Sequence, residues 1–513
     1  MMAKNFLARA RSIMASRRFL YVILGIFVLE SAWITLSAVY PQAFDEQFHF
    51  GLIKVYSHHW LPFLTAQPPH AAAFGAVARD PSYLYHYLMS FPFRLIELFT
   101  GAQAAQIIIL RFINIALFGG GLILFRRVML RGGLSKSLAN LSLFLFILIP
   151  IVPQLAGQIN YDNLLFLMVP VVCLLTFNAV EEIKKRRPSA RTLLILLAIC
   201  ILTSLVKYAF LPIFLAVVVF LGFYILRRFR GQIGKFFKLL MSSFKNQSLR
   251  SKIILLAVLV ISLGLFGQRD GVNFVKYHAV TPNCAKVLSL KSCSHYGAWN
   301  ADYVRRQRVK SGQQTPSDNI FSYSAKWLFW MNYRSFFAVN GLNSNFKNYA
   351  PLPLPAAAAA VIALLALIVT IRYFKQIFRK NPYALFLLIA TGVYVVSLFI
   401  KGYATYQSTD VLENMNGRYL LPILLMLAVI AGRGFSVLLK RFNFAKVIVG
   451  VVMVVLFLDG GGLLTFIDRS DASWDWHNSA VVKVNHAARQ IVKPIIYDGR
   501  KQPPTAHQLY SFL

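Results

Sequence analysis

Across 513 residues the chain has only 18 acidic residues against 54 basic ones, yet two acids stand side by side at Asp45 and Glu46, within YPQAFDEQFHFGLIKVYSHHW (Tyr40 to Trp60). Such carboxylates can take a proton from an attacking hydroxyl, help to bind a divalent cation, or simply accept hydrogen bonds from the first turn of a helix. The residues that follow alternate as an amphipathic helix along a membrane surface would: apolar Phe48, Leu52, Val55 and Trp60 against polar Gln47, Lys54 and His58. The acids then fall at its N-terminal end, where the helix dipole favours ionised carboxylates. Cap and catalyst are equal alternatives from this stretch alone. The pair His58-His59 reads as interfacial. No His/Cys metal spacing occurs, and a lone carboxylate pair leaves open whether a divalent cation is used.

The surrounding elements must be membrane spans. Hydrophobic residues make up 57% of the chain, in repeated apolar stretches of roughly 20 residues, enough to cross about 30 Å of hydrocarbon as helix. Continuous apolar runs argue against the alternation of a barrel. The expected class is an all-α polytopic membrane protein with about eleven spans: 19–39, 106–125, 138–155, 163–180, 192–206, 209–226, 253–268, 354–371, 383–400, 419–438 and 447–467. The first reads as a retained anchor, since Glu30 and Trp33 interrupt it and no small-residue cleavage site follows. With the N-terminus cytoplasmic, six inner segments hold 30 of the 54 basic residues and only Glu181 and Glu182 among the acids. Counting 83–99 as a span would put those basic clusters outside, so it is expected to be an amphipathic or re-entrant helix at the outer surface. The C-terminus then lies outside. The +36 net charge follows from topology and contact with anionic lipid, not from nucleic acid.

Two acids, Glu30 and Asp459, fall within spans and fourteen on the outer side, so acid–base chemistry belongs to the outer face. Two domains are expected: a transmembrane domain over 1–467, with a first outer loop at 40–105 and a large one at 269–353, and an extracytoplasmic segment at 468–513. The large loop carries Cys284 and Cys293, which an oxidising compartment would join in a disulfide or leave as two small unpaired residues. Cys173 and Cys200 lie in spans and read as packing thiols. The acids Asp468, Asp471 and Asp475 with His477 read as solvated surface. GGGL at 119–122 and GGGLL at 460–464 stand in apolar runs and read as close helix packing, not as a nucleotide site. Neither a nucleotide nor a redox cofactor is expected.

The stretch FDEQFHFGLIKVYSHH resembles the first outer loop of protein O-mannosyltransferases, in which an Asp-Glu pair is closely followed by His-Phe-Gly, and similar loops occur in C-type (GT-C) glycosyltransferases such as the lipid A aminoarabinose transferases. Here Gln47-Phe48 stands where the mannosyltransferases have one residue before the His. RDPSYLYHYL from Arg79 resembles the Lys-Pro-Pro-Leu-Tyr-type stretch that closes this loop in bacterial members. INYDNLLFLMV resembles the stretch with an Asp at the outer mouth of the fourth span, here Asp162. SLVKYAFLPIF resembles a Thr-Lys-Tyr-type stretch, here Lys207-Tyr208. NMNGRYLLPILL resembles the Gly-Arg-Tyr-Leu-Leu-Pro start of a late span in many uncharacterised bacterial membrane proteins.

The resemblance implies an inverting transferase of hexosyl or pentosyl groups at the outer face of a bacterial plasma membrane. Its donor would be a polyprenyl-phosphate-linked sugar and its acceptor a glycan, lipid or protein. Such chemistry needs one carboxylate base, expected at Asp45 with Glu46 beside it. Phosphate leaves as a stable anion, so cations take the place of a general acid. Arg79, Lys207 and Arg418 are the expected phosphate contacts, and His49, Tyr83, Asp162, Tyr208 and Tyr419 are expected to line the cavity. The rival reading is a lipid-linked glycan transporter or a non-catalytic membrane scaffold.

Overall fold

In hydrocarbon every backbone N–H and C=O must find a partner, and the α-helix provides one within a single segment. The computed structural model describes residues 9, 11–42, 45–69, 71–337, 353–379, 381–412, 415, 417–438 and 443–495. Among them the regular structure is helical, with no strand beyond one isolated bridge between Ala38 and Asp475. Part of the large loop (338–352) and the end of the C-terminal segment (496–513) lie outside the described residues.

Helix α1 (Arg17–Ser37) leads into two loop helices, α2 (Glu46–Ser57) and α3 (Leu84–Glu97). Then follow α4 (Gln103–Arg131), α5 (Lys136–Ile147), α6 (Tyr161–Lys184), α7 (Ala190–Val206), α8 (Leu211–Arg228), α9 (Ile233–Lys245) and α10 (Leu249–Phe266). Beyond the large loop come α11 (Pro382–Thr409), α12 (Leu421–Leu438) and α13 (Ser479–Val492). Seven helices among the described residues are long and apolar enough to cross a membrane: α1, α4, α6, α8, α10, α11 and α12, some with short extensions. This makes the chain an all-α polytopic membrane protein. The expected spans at 138–155, 192–206 and 447–467 coincide with shorter apolar helices among the described residues, and the one at 354–371 coincides with the 20-residue helix Pro353–Arg372. Helix α3 covers most of 83–99 with 14 residues, about 21 Å at 1.5 Å per residue. It packs on α2.

The core is centred on α4 and α6. Phe118 and Phe166 stack with ring centroids 3.9 Å apart, and a Cβ added at Gly121 would lie 2.5 Å from the Phe166 ring and 2.8 Å from its carbonyl oxygen. The first glycine run therefore permits close helix approach. The second does not: Gly462 takes φ +58° in a turn, pressed against the Glu30 carboxylate.

Arg111, buried within the apolar run of α4, ties the Asp45 side of the molecule together. Its Nε and Nη2 donate to the two carboxylate oxygens of Glu46 at 2.8 and 2.7 Å, and both side chains are fully buried. Nη1 donates to the carbonyls of Thr35 (3.2 Å) and Ala38 (2.6 Å) at the end of α1. Glu46 also accepts from the backbone N–H groups of Gln42 (2.8 Å) and Ile159 (3.0 Å). One ion pair thus fixes the end of α1, the start of α2, α4 and the turn before α6.

The C-terminal segment is tied to the same place. Trp476 N–H donates to the Ser37 carbonyl at 2.9 Å and Val39 N–H to the Trp474 carbonyl at 2.8 Å. Asp475, expected at a solvated surface, is instead buried and bound by Arg489 through two nitrogens at 2.6 and 2.9 Å.

Removing one member of a buried ion pair leaves the other uncompensated, at about 3–5 kcal/mol. Glu46→Gln and Arg111→Met are each expected to cost that much in thermal or denaturant unfolding of detergent-purified protein, and the double variant less than either alone. Equal, additive losses would remove the pair from this central role.

Candidate functional site

Asp45 is the residue before α2, where an acid normally caps. Its backbone is left-handed (φ 67°, ψ 29°), and its side chain makes no capping hydrogen bond. Asp and Asn tolerate this region better than other side chains. The strained backbone directs the Asp45 carboxylate away from the helix, to Arg418, whose Nη2 donates to its Oδ2 at 2.8 Å. Arg418 lies in the turn Gly417–Leu420 that opens α12. Its Nη2 also approaches the Tyr419 hydroxyl at 3.4 Å, and its guanidinium lies 5.2 Å from the Tyr419 ring centroid.

A second ion pair adjoins the first. Lys207 sits in extended backbone (φ −154°, ψ 118°) where α7 stops and a short turn, Tyr208–Phe210, precedes α8. Its Nζ donates to Asp162 Oδ1 at 2.6 Å, with both side chains buried. The same ammonium is 4.5 Å from the Tyr161 ring and 5.2 Å from the Tyr419 ring, distances at which ring faces attract cations. Tyr419 therefore joins the two pairs. Tyr208 donates its N–H to Ser82 Oγ at 3.1 Å, and its hydroxyl is bonded by Lys401 of α11, a residue that did not stand out in the sequence. The Arg418-Tyr419, Asp162, Lys207-Tyr208 and Asp45 stretches converge in one place, with Ser82 of the RDPSY stretch at its edge.

Other expected site residues lie elsewhere. Glu46 belongs to the Arg111 knot. Arg79 donates to the Gln268 carbonyl at 3.2 Å beside Arg269, over whose guanidinium Tyr83 lies at 4.3 Å. Arg269 is fully buried and donates to the Val77 and Pro62 carbonyls and the Tyr56 hydroxyl. It stands where an apolar run gives way to loop, so its sequence context reads as a solvated end.

His49 is buried 2.9 Å from His86 across α2 and α3 (Nδ1 to Nε2), with its ring edge-on to Tyr161 at 4.5 Å. Burial pushes His86 down to about 3. His49 is also held well below the usual imidazole range, first by burial, then by His86, Arg418 and Lys207.

The large loop reaches the same place. Cys284 and Cys293 form a disulfide, and three residues on Tyr296 stacks on Phe48 at 5.7 Å. Burial, and next the Asp45 charge, raise the Tyr296 hydroxyl above its ordinary range. Among the described residues no group of three or more His, Cys, Asp or Glu could hold a metal ion.

Fold and site together define an α-helical polytopic membrane protein with a half-open ionic cluster at one end of its helices. No protein-family model and no curated protein matches the chain. Among solved structures it is similar to the archaeal oligosaccharyltransferase AglB from Archaeoglobus fulgidus in complex with an inhibitory peptide and a dolichol-phosphate. That likeness has 14% identity and a TM-score of 0.42, over 96% of this chain and 62% of that one. A crystal structure of the Archaeoglobus fulgidus oligosaccharyltransferase in complex with zinc and sulfate gives 14% and 0.41, over 94% and 58%. The chain spans about three fifths of their length. At this level likeness carries no argument about activity, which rests on the residues.

The neutral His49–His86 pair makes stability depend on pH. Unfolded, each imidazole takes up a proton near pH 6.5, whereas folded it does so only at much lower pH. Their contribution is therefore complete above about pH 6.5 and is lost as pH falls towards the folded values. The lost stability amounts to as much as about 1.4 kcal/mol per pH unit for each ring. A His49→Asn/His86→Asn variant should show a shallower fall in melting temperature between pH 6.5 and 4 than the parent; an unchanged slope would contradict this account.

Proposed function

We propose that the chain is an inverting glycosyltransferase of the GT-C type that moves a sugar from a polyprenyl-phosphate donor to an acceptor hydroxyl or amide, with Asp45 as general base. The observation that carries the proposal is an asymmetry of exposure among four ion pairs. The carboxylates of Glu46, Asp162 and Asp475 are 0%, 3% and 3% exposed, whereas that of Asp45 is 55% exposed while its partner Arg418 is 10% exposed. Asp45 alone of the four can be reached by an incoming molecule, and it lies against Arg418, with the Lys207–Asp162 pair adjoining through Tyr419.

In this reading the acceptor oxygen or nitrogen attacks the anomeric carbon from the face opposite the phosphate. As the new glycosidic bond forms, the carbon–oxygen bond to phosphate breaks and the acceptor proton passes to Asp45. The charge that builds on the leaving phosphate is met by Arg418, which can engage two of its oxygens, and by the Lys207 ammonium. Glu46 acts at one remove by fixing the start of α2, and Asp162 by holding Lys207. The donor arrives through the membrane, as the absence of a Gly-rich nucleotide loop from the sequence leads one to expect. The acceptor is a glycan, lipid or protein on the outer face of a bacterial plasma membrane.

The test is transfer by purified protein from radiolabelled polyprenyl-phosphate hexoses and pentoses to envelope acceptor fractions. Asp45→Asn should lower kcat by about 10²–10⁴-fold. Arg418→Lys, which keeps the charge but loses the fork, should weaken transfer chiefly through the donor KM. Full transfer by Asp45→Asn would end its assignment as base. Movement of lipid-linked glycan across the bilayer without transfer would favour a transporter.

A further inference from the structure

At the end of the helices opposite Asp45, α7 and α10 together line a groove of about 400 Å³. Its rim carries Arg191, Arg250 and Ser251, and its wall runs along Leu194, Ile254 and Val258. Arg191 begins α7 and Lys207 follows its end, so about 25 Å of helix separates this groove from the site above. Both rim arginines are exposed, and no ion pair involves either among the described residues. The deficit of acids is regional, since none occurs between Glu182 and Asp270.

Helix α9 continues the same surface. It exposes Phe237 and Met241 alongside Lys235 and Lys238, and Ser243 on it accepts a hydrogen bond from Ala190 N–H at the start of α7, at 3.3 Å. Exposed apolar and cationic groups on one short amphipathic helix suit the boundary between headgroups and acyl chains. A headgroup boundary running along α9 would set the guanidinium rim at the depth of lipid phosphates, and the apolar wall runs on toward exposed Ile253 and Val260 of α10.

We propose that this groove binds an anionic glycerophospholipid, its phosphate between Arg191 and Arg250 and its first acyl carbons along Leu194, Ile254 and Val258. Two guanidinium groups match phosphate oxygens in charge and fork geometry. The apolar wall selects a lipid over a soluble phosphate, which would leave most of the groove unmatched. The site is independent of the transferase reading.

The experiment is native mass spectrometry of the full chain released from mixed phosphatidylglycerol and phosphatidylcholine vesicles, followed by lipid titration. The expected result is one retained phosphatidylglycerol per chain, bound at least tenfold more tightly than phosphatidylcholine. Arg191→Gln/Arg250→Gln should lose that preference about tenfold with unchanged elution and melting. Lys375→Gln/Arg379→Gln, which removes equal exposed charge from the short helix Phe374–Phe378 and the residue after it, next to the end of α4 through Arg433, should keep it. Equal loss in both double variants would reduce the effect to general charge attraction and overturn the site. So would equal binding of phosphatidylcholine by the parent, or displacement of the lipid by millimolar glycerol phosphate.

Discussion

A guanidinium and a carboxylate without exposed surface can exist in an apolar bundle only if every polar atom is matched. Arg111 and Glu46 meet that condition by drawing in four backbone groups: the Thr35 and Ala38 carbonyls and the Gln42 and Ile159 N–H groups. These groups lie where the chain leaves α1, turns into α2 and approaches α6, places where helical hydrogen bonding ends. The pair therefore substitutes for secondary structure at the helix ends. With Glu46 pinned, the direction of its neighbour is largely decided, and the left-handed backbone at Asp45 turns that carboxylate outward to Arg418.

The same device recurs around the first loop. Arg94 donates to the carbonyls of Tyr56, Ser57 and His59, closing the end of α2, and Arg269 donates to those of Pro62 and Val77. Arginine suits this role because its planar fork serves several carbonyls at once and stays charged when buried. Irregular backbone of the first loop is thereby held by side-chain donors.

The apolar stretches, the Asp-Glu pair and the order of the short motifs were legible in the sequence because each is a local pattern. The pairings were not. Arg111 sits inside the apolar stretch 106–125 and its partner is 65 residues away, so nothing nearby marks it as the residue that organises the first loop. Asp475 reads as a solvated acid because Arg489 returns to it only after a turn and most of a helix. The stretch from Arg79 to Tyr83 divides between two neighbourhoods, Ser82 reaching Tyr208 while Arg79 and Tyr83 join Gln268 and Arg269. Spacing along an extended segment does not say which face each side chain takes.

Why the site stays half open follows from where its charges are balanced. Lys207 is neutralised within the protein by Asp162 and flanked by the Tyr161 and Tyr419 rings, so its position does not depend on a ligand. Arg418 is neutralised from the solvent side, by a carboxylate that water already reaches. An arriving anion competes with Asp45 for one guanidinium without breaking any enclosed ion pair, and the cost of that exchange is far below that of unmaking Glu46–Arg111. The bundle thus keeps its structural charges sealed and leaves to Asp45 and Arg418 the one ionic contact among the four that can open while the fold stays intact.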